Sequence, residues 1–263
     1  MAVTKELLFK ISSENLSRII NVLKDLSSID EKALFRFDKK HVLIYSLVGE
    51  GNGVNAFKSF IFDTNDIFEM EDFEDTVDFI AKDIKTIYRN LQIMVDLQTT
   101  ISGKIYYDEM NDKFFSDRMF FKTDSKLKLN FYGSDPRAFN TNISVDKIKK
   151  LADIDNALFD FEMSNADYTN IKRLATSGKD VEVFYVNTFE KDGKYFISIG
   201  ESAWDLTLAE INYDEAKTIS FPKKYFKSIT MNGNDSSRIY VFDRFLMVKT
   251  DSSDLLISTE ITV

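Results

Sequence analysis

The 263-residue chain has no cysteine, one histidine, one tryptophan, two prolines and nine glycines. Without cysteine there can be no disulfide scaffold, zinc ribbon, thiol nucleophile or thiolate metal site. A single histidine, His41, removes His-rich zinc sites and most Ser-His-Asp schemes. Scarce Gly and Pro argue against long flexible linkers. No apolar run approaches the ~18–20 residues of a membrane span. Met1-Ala2-Val3-Thr4-Lys5-Glu6 leads only into a short apolar run, so no signal peptide is expected. These absences imply a soluble, intracellular, cytoplasmic protein with no metal, no other cofactor and no membrane partner.

What is present is a folded composition: 44% hydrophobic and 29% charged residues, with 34 Lys+Arg against 43 Asp+Glu for a net charge of −9. The length allows one large domain or two, each able to bury its own core. The 24 Phe and 11 Tyr favour strands, so an α+β protein with extensive sheet is expected.

The chain also repeats itself, which bears on the whole architecture. Phe9-Lys10-Ile11-Ser12-Ser13 through Ile19 overlies Phe161-Glu162-Met163-Ser164-Asn165 through Ile171 at an offset of 152 without a gap. The same offset places Phe37-Asp38-Lys39 on Phe189-Glu190-Lys191, and Ile44–Leu47 on Phe196–Ile199. A second match, at offset 142, sets Thr76–Phe79 on Thr218–Phe221 and Lys85–Ile87 on Lys227–Ile229. Each half predicts a strand, a Ser-capped helix with apolar residues at i, i+3, i+4 and i+7, a hairpin and further strands. A second helix (82–94 or 222–231) and closing strands complete it. Pro222 suits a first helical turn. Two domains follow, 1–135 and 157–263, joined by a connector at 136–156 that keeps Ile143, Val145, Ile148 and Leu151 apolar. A connector of that length is usually functional.

The four expected helices carry Arg18, Lys24, Lys82, Lys85, Arg89, Lys172, Arg173, Lys223, Lys224 and Lys227 against only four acids. Their net +6 leaves −15 for the rest of the chain. Helical spacing turns most of these cations away from the apolar stripes. A charge run is ordinarily just a solvated face. Its repetition on four equivalent helices points instead to a basic surface for sequence-independent phosphate contact, with the acidic remainder keeping nucleic acid off other faces.

The duplicated order of elements, the basic helices and the long connector together resemble the DNA sliding clamps, including proliferating cell nuclear antigen and the clamps of T4-like phages. Leu16 through Leu26 looks like the first clamp helix, Val42–Leu47 like the strand after it, and Ser134-Asp135-Pro136 like the start of a phage clamp connector. Residues 95–125 look longer than a clamp needs, and Glu260-Ile261-Thr262-Val263 lacks the acidic tail of the cellular proteins. The resemblance implies a clamp fold: two duplicated domains, each with two helices on one face of antiparallel sheets, assembling head to tail into a homotrimeric ring. The bacterial type would need three domains per chain. Helices would line the hole around double-stranded DNA. Edge strands near Lys126–Tyr132 and Trp204–Ile211 would join subunits. The resemblance further implies a DNA polymerase and a clamp loader as partners, phage late transcription if the phage likeness holds, and no enzymatic activity. Partner segments would dock on Leu47, Ile143, Val145, Ile148, Ile257 and Ile261.

Other signals carry less. Gly49-Glu50-Gly51-Asn52-Gly53 follows a strand but lacks the helix and Lys-Ser/Thr of a phosphate loop. His41 suits an exposed turn. The run Glu69, Glu71, Asp72, Glu74, Asp75 lacks EF-hand spacing. Carboxylates are plentiful, so no catalytic pair stands out, and Trp204 suits packing. The alternatives are a two-domain α+β enzyme or ligand-binding protein with an inter-domain cleft, or a duplicated interaction protein with no nucleic-acid role.

Overall fold

A computed structural model describes residues 3–49, 54–70, 75–95, 97–109, 112–135, 139, 142–151, 154–177, 182–202, 204–230, 237–251 and 253–259. In chain order the first elements are β1 (Val3–Ile11), α1 (Ser13–Leu26), β2 (Ala33–Phe37), β3 (His41–Val48) and β4 (Ala56–Asp63). There follow α2 (Thr64–Ile67), β5 (Glu69–Met70), β6 (Val77–Ala81), α3 (Ile84–Leu91), β7 (Thr99–Asp108), β8 (Lys113–Thr123) and β9 (Lys128–Tyr132). After α4 (Val145–Leu151) come β10 (Phe159–Met163), α5 (Asn165–Thr176), β11 (Val183–Lys191), β12 (Lys194–Glu201) and β13 (Trp204–Ile211). The last strands are β14 (Lys217–Pro222), β15 (Ser237–Val241), β16 (Phe245–Thr250) and β17 (Asp254–Ser258).

Contacts divide the chain into two compact units: residues 1–46 with 59–149, and residues 47–58 with 150–263. The division falls within α4, after Lys149.

In the first unit β2 pairs with β3 and β6, β7 with β1 and β8, and β8 with β9, all antiparallel. In the second, β11 pairs with β12 and β14, β15 with β10 and β16, and β16 with β17. The patterns are the same: β1-β7-β8-β9 matches β10-β15-β16-β17, and β3-β2-β6 matches β12-β11-β14. The duplication inferred from the sequence is a duplication of strand pairing. One addition marks the first unit, where Val77–Phe79 of β6 also runs parallel to Phe114–Ser116 of β8.

The local reasons also repeat. Ser12 caps α1, accepting the Asn15 N–H at 3.2 Å, and Ser164, 152 residues on, caps α5 by accepting the Asp167 N–H at 3.2 Å. Such a cap contributes about 1 kcal/mol. α1 turns Leu16, Ile19, Ile20, Leu23 and Leu26 inward, and α3 turns in Ile84, Ile87 and Leu91. They close over Phe9, Phe35, Phe37, Phe79 and Phe121 of the sheet. Phe9 meets Phe68 edge-on at 4.6 Å and Phe37 at 5.1 Å. Each such side chain, fully buried, contributes roughly 1.5–3 kcal/mol.

One expectation fails here. Residues 222–231 do not form an α-helix: Pro222 ends β14, and Lys223–Ser228 make a short 3-10 turn. Lys223, Tyr225, Phe226, Ser228 and Ile229 are all buried and only Lys224 and Lys227 are exposed, so the segment buries more than the single stripe of an amphipathic helix. The connector is partly helical, with Ser144 capping α4 by accepting the Lys147 N–H at 3.2 Å. The long 95–125 region resolves into the β7–β8 hairpin, whose strands of 10 and 11 residues outreach their counterparts β15 and β16, of 5 and 6. The two repeat offsets differ for another reason: between matched positions, the stretch from β3 to β6, which holds α2 and β5, is ten residues longer than the stretch from β12 to β14.

Candidate nucleic-acid interface

In each unit two helical segments pack side by side, α1 with α3 and α5 with the 223–228 turn. Their acids are used locally. Glu14 lies in the first turn of α1, and Asp167 closes a capping box on α5. Asp83, at φ 53°, caps α3 and accepts the Thr86 N–H at 3.1 Å. The hydrogen bonds from Thr86 hold the Asp83 carboxyl below its ordinary pKa. Lys24, Arg89 and Arg173 occupy last turns, where the helix dipole favours cations.

Nine of the ten expected DNA-contact residues are exposed: Arg18, Lys24, Lys82, Lys85, Arg89, Lys172, Arg173, Lys224 and Lys227. Among the described residues none of the nine lies in an ion pair. Arg18 rests 5.4 Å from the Phe62 ring centroid, Lys172 donates to the Tyr168 hydroxyl at 3.1 Å, and Lys224 lies 4.9 Å over Tyr225. These charged heads lie against aromatic side chains while the residues stay exposed.

Lys223 is the correction. It is 3% exposed, donates to the Ser177 carbonyl at 2.6 Å, and pairs with Glu201 at 3.2 Å. Its ammonium is committed to the interior and cannot meet a phosphate.

The partner-contact expectations also divide. Leu47, in the second unit, and Ile143 and Val145, in the first, are half-buried. Ile148 and Ile257 are core: Ile148 is on the inward side of α4, and Ile257 alternates with half-buried Leu256 and Ser258 along β17. Neither is open to a partner. Ile261 lies outside the described residues, as do Glu71, Asp72 and Glu74 of the acidic run and Glu50–Gly53 of the glycine loop. His41 opens β3, half-buried, with Asp38 and Asp63 each 4.0 Å away. Trp204 packs edge-on against Phe184 at 5.5 Å.

Sequence reasoning missed one anchor. Arg36 on β2 stands opposite Asp78 on β6 and makes two bonds to its carboxylate, at 2.7 and 2.6 Å, while also donating to the Ile143 carbonyl. Burial opposes the Arg36 charge, but Asp78 outweighs it and holds the guanidinium pKa above its ordinary value. Burial likewise raises the pKa of the adjacent Tyr45 phenol, whose ring lies 5.6 Å from Phe139. The start of the connector is thus pinned to the first unit. A charge inside an apolar strand, as in Leu34-Phe35-Arg36-Phe37 or Val77-Asp78-Phe79, is the signal that marks such a pair.

Two strand edges are open. β9 pairs only with β8, and β13 only with β12, among the described residues. Their counterparts are β17 and β4. There the Ser258 N–H at the end of β17 donates to Asn55 just before β4, at 2.9 Å.

Solved structures match this arrangement over nearly its full length. Proliferating cellular nuclear antigen from Entamoeba histolytica aligns at a TM-score of 0.65 and 12% identity, covering 99% of this chain and 100% of that one. The chain has the DNA-clamp fold. The A. fulgidus clamp, solved with the C-terminal region of FEN-1 bound, aligns at 0.64 with 11% identity over 98% and 99% of the two chains. The Borrelia burgdorferi DNA polymerase III subunit beta aligns at 0.63 with 15% identity, over 99% of this chain but 65% of that one. No protein-family model and no curated protein matches the sequence. Among the described residues the clamp fold here carries no acidic or histidine group that could hold a metal, and no helix long and apolar enough to cross a membrane.

Proposed function

We propose that three copies of this chain close into a ring that encircles duplex DNA and tethers a DNA polymerase, with no chemistry of its own. The observation that carries this reading is the set of nine exposed cations along the paired helical segments of an acidic protein, none of them in an ion pair among the described residues. Such a surface suits phosphates in any sequence, so the protein can move along DNA without stopping at a site. Tethering raises the polymerase's effective concentration at the template.

The two duplicated domains, 1–135 and 157–263, favour three copies. The chain spans the whole length of the nuclear-antigen chains and only 65% of the bacterial one. Free edges at β9 and β13 would join neighbours head to tail. A clamp loader would open the ring, and a phage setting would add late transcription and a host-cytoplasm location. Leu47, Ile143 and Val145 are the remaining candidates for partner contact, by analogy with the FEN-1 segment on the A. fulgidus clamp.

Light scattering across a concentration series tests the assembly. A discrete species of three times 30.4 kDa is expected. A strict monomer up to high concentration would remove the ring.

A further inference from the structure

One surface away from the helices departs from the acidic remainder of the chain. On the outer face of the first unit's sheet, a row of cross-strand partners runs Glu69, Lys10, Thr100, Lys122, Lys128 from β5 to β9. Its three lysines are exposed, and among the described residues none of them lies in an ion pair. The alternate residues Phe9, Ile101, Phe121 and Phe131 are core beneath α1 and α3, which turns the row away from those helices. The next pairs on the same face are Phe120 with Asn130 and Arg118 with Tyr132. Arg118 lies 4.3 Å from the Tyr132 ring centroid and Lys128 4.8 Å from that of Phe120, yet Tyr132 is 52% exposed.

The duplicate shows the same row with its charges balanced. The equivalents in the second unit are Glu162, Arg238, Lys249 and Asp254. There Arg238 meets Asp160 and Glu162, and Lys249 meets Asp254 at 3.9 Å. Lys10 and Lys128 therefore stand where the second unit has acids. Met247, the equivalent of Phe120, is buried with Tyr240 and Phe242, whereas Phe120 is only half-buried. Like charges directly opposite on neighbouring strands are destabilising, so Lys122 against Lys128 works against folding. A bound anion relieves that repulsion.

We infer that this outer face of the first unit binds single-stranded nucleic acid, with phosphates on Lys10, Lys122 and Lys128 and bases on Phe120 and Tyr132. Three strand spacings separate Lys10 from Lys128, about 14 Å, which is the length of about four nucleotides at duplex rise. Every base has a ring face, so stacking on Phe120 and Tyr132 tolerates any sequence. Bases in a duplex are already stacked on one another, so the rings select single strands. An acidic peptide would meet the cations and leave both rings unused. The surface uses side chains off the sheet face rather than the β9 edge, and it needs no second copy of the chain.

The test titrates the full chain against a short fluorescent oligothymidylate and a duplex of equal length, read by anisotropy at low salt. Tyr132→Leu, at an exposed position, should weaken oligothymidylate binding by at least about fivefold and leave duplex binding unchanged. Lys122→Ala with Lys128→Ala should flatten the salt dependence on oligothymidylate by about 1.4, at about 0.7 per phosphate contact. Its unfolding midpoint should not fall, because a repulsion is removed. Lys82, Lys85 and Arg89 to alanine should weaken the duplex more than the single strand, so a failure of the helical surface is read separately from a failure of this one. The inference is overturned if the wild type does not bind oligothymidylate, or if Tyr132→Leu binds it as the wild type does or loses both probes equally. It is also overturned if a polyglutamate peptide binds more tightly than oligothymidylate and is indifferent to Tyr132→Leu, which would make the face a site for an acidic protein segment.

Discussion

Replacing Lys82, Lys85 and Arg89 together by alanine removes three of the nine exposed cations without touching the core side of α3, where Ile84, Ile87 and Leu91 are buried. Exposed helix substitutions of this kind change stability by within about 0.5 kcal/mol each. The expected effect lies in the salt dependence of DNA binding. Each lost phosphate contact flattens the plot of log affinity against log salt by about 0.9, so three flatten it by about 2.7. Over a fourfold rise in salt that slope is worth a factor of about 40. The variant's deficit on a short fluorescent duplex, read by anisotropy, should thus be about 40-fold larger at 50 mM salt than at 200 mM. The control is Lys39, Lys40 and Lys191 to alanine, an equal charge change at the β2–β3 and β11–β12 turns. If both triple variants lose the same slope, net charge alone governs binding and the helices are no interface.

Three further outcomes follow from the packing. Arg36→Met strands the buried Asp78 carboxylate and should cost about 3–5 kcal/mol in urea unfolding, whereas Arg36→Met with Asp78→Leu should recover most of it; equal losses would show the pair to be unimportant. Lys223→Met, which leaves Glu201 without its cation, should destabilise by a few kcal/mol, whereas Lys224→Met should change stability by within about 0.5 kcal/mol; matched effects would put Lys223 at the surface. Burial raises the Asp254 pKa, with Lys249 at 3.9 Å opposing it, so the folded state binds that proton more tightly than the unfolded chain does. Its contribution to stability is neutral below the unfolded value near 3.9 and becomes unfavourable as pH rises through the higher folded value. Asp254→Asn should therefore stabilise the protein at pH 7 and have no effect at pH 3, as read by thermal unfolding.

Much of the architecture was legible because it is written twice. Ser12 and Ser164 cap their helices at the same offset of 152, and β2, β10 and β13 begin and end at the residues that alternation and turn chemistry mark. Periodicity fails where a segment buries more than one side. Residues 223–229 look like a basic helix in one dimension, yet Tyr225 and Phe226 both turn inward, Phe226 against Phe184 at 5.1 Å, and Lys223 follows them.

The site was legible in its charge and not in its contacts. Composition along the helices located nine exposed cations, but nothing local distinguishes Lys223, whose partners Ser177 and Glu201 are distant in sequence. The same holds for Lys58, buried in the apolar strand β4 and bonded to the Ser228 carbonyl at 2.9 Å and the Thr230 hydroxyl at 2.6 Å. Position in the chain points Ile148 and Ile257 to a partner surface, whereas tertiary packing buries both in cores.

The absence of cysteine makes the most direct test of the ring clean. Asn130→Cys on β9 and Thr207→Cys on β13 would be the only thiols in the chain, and both positions are exposed. A flexible bis-maleimide added after mixing with nicked circular plasmid should close rings around the DNA that survive denaturing detergent. Cutting the plasmid once should then release the protein. Retention on the linear DNA, or no retention on the circle despite a covalently closed trimer, would contradict encirclement.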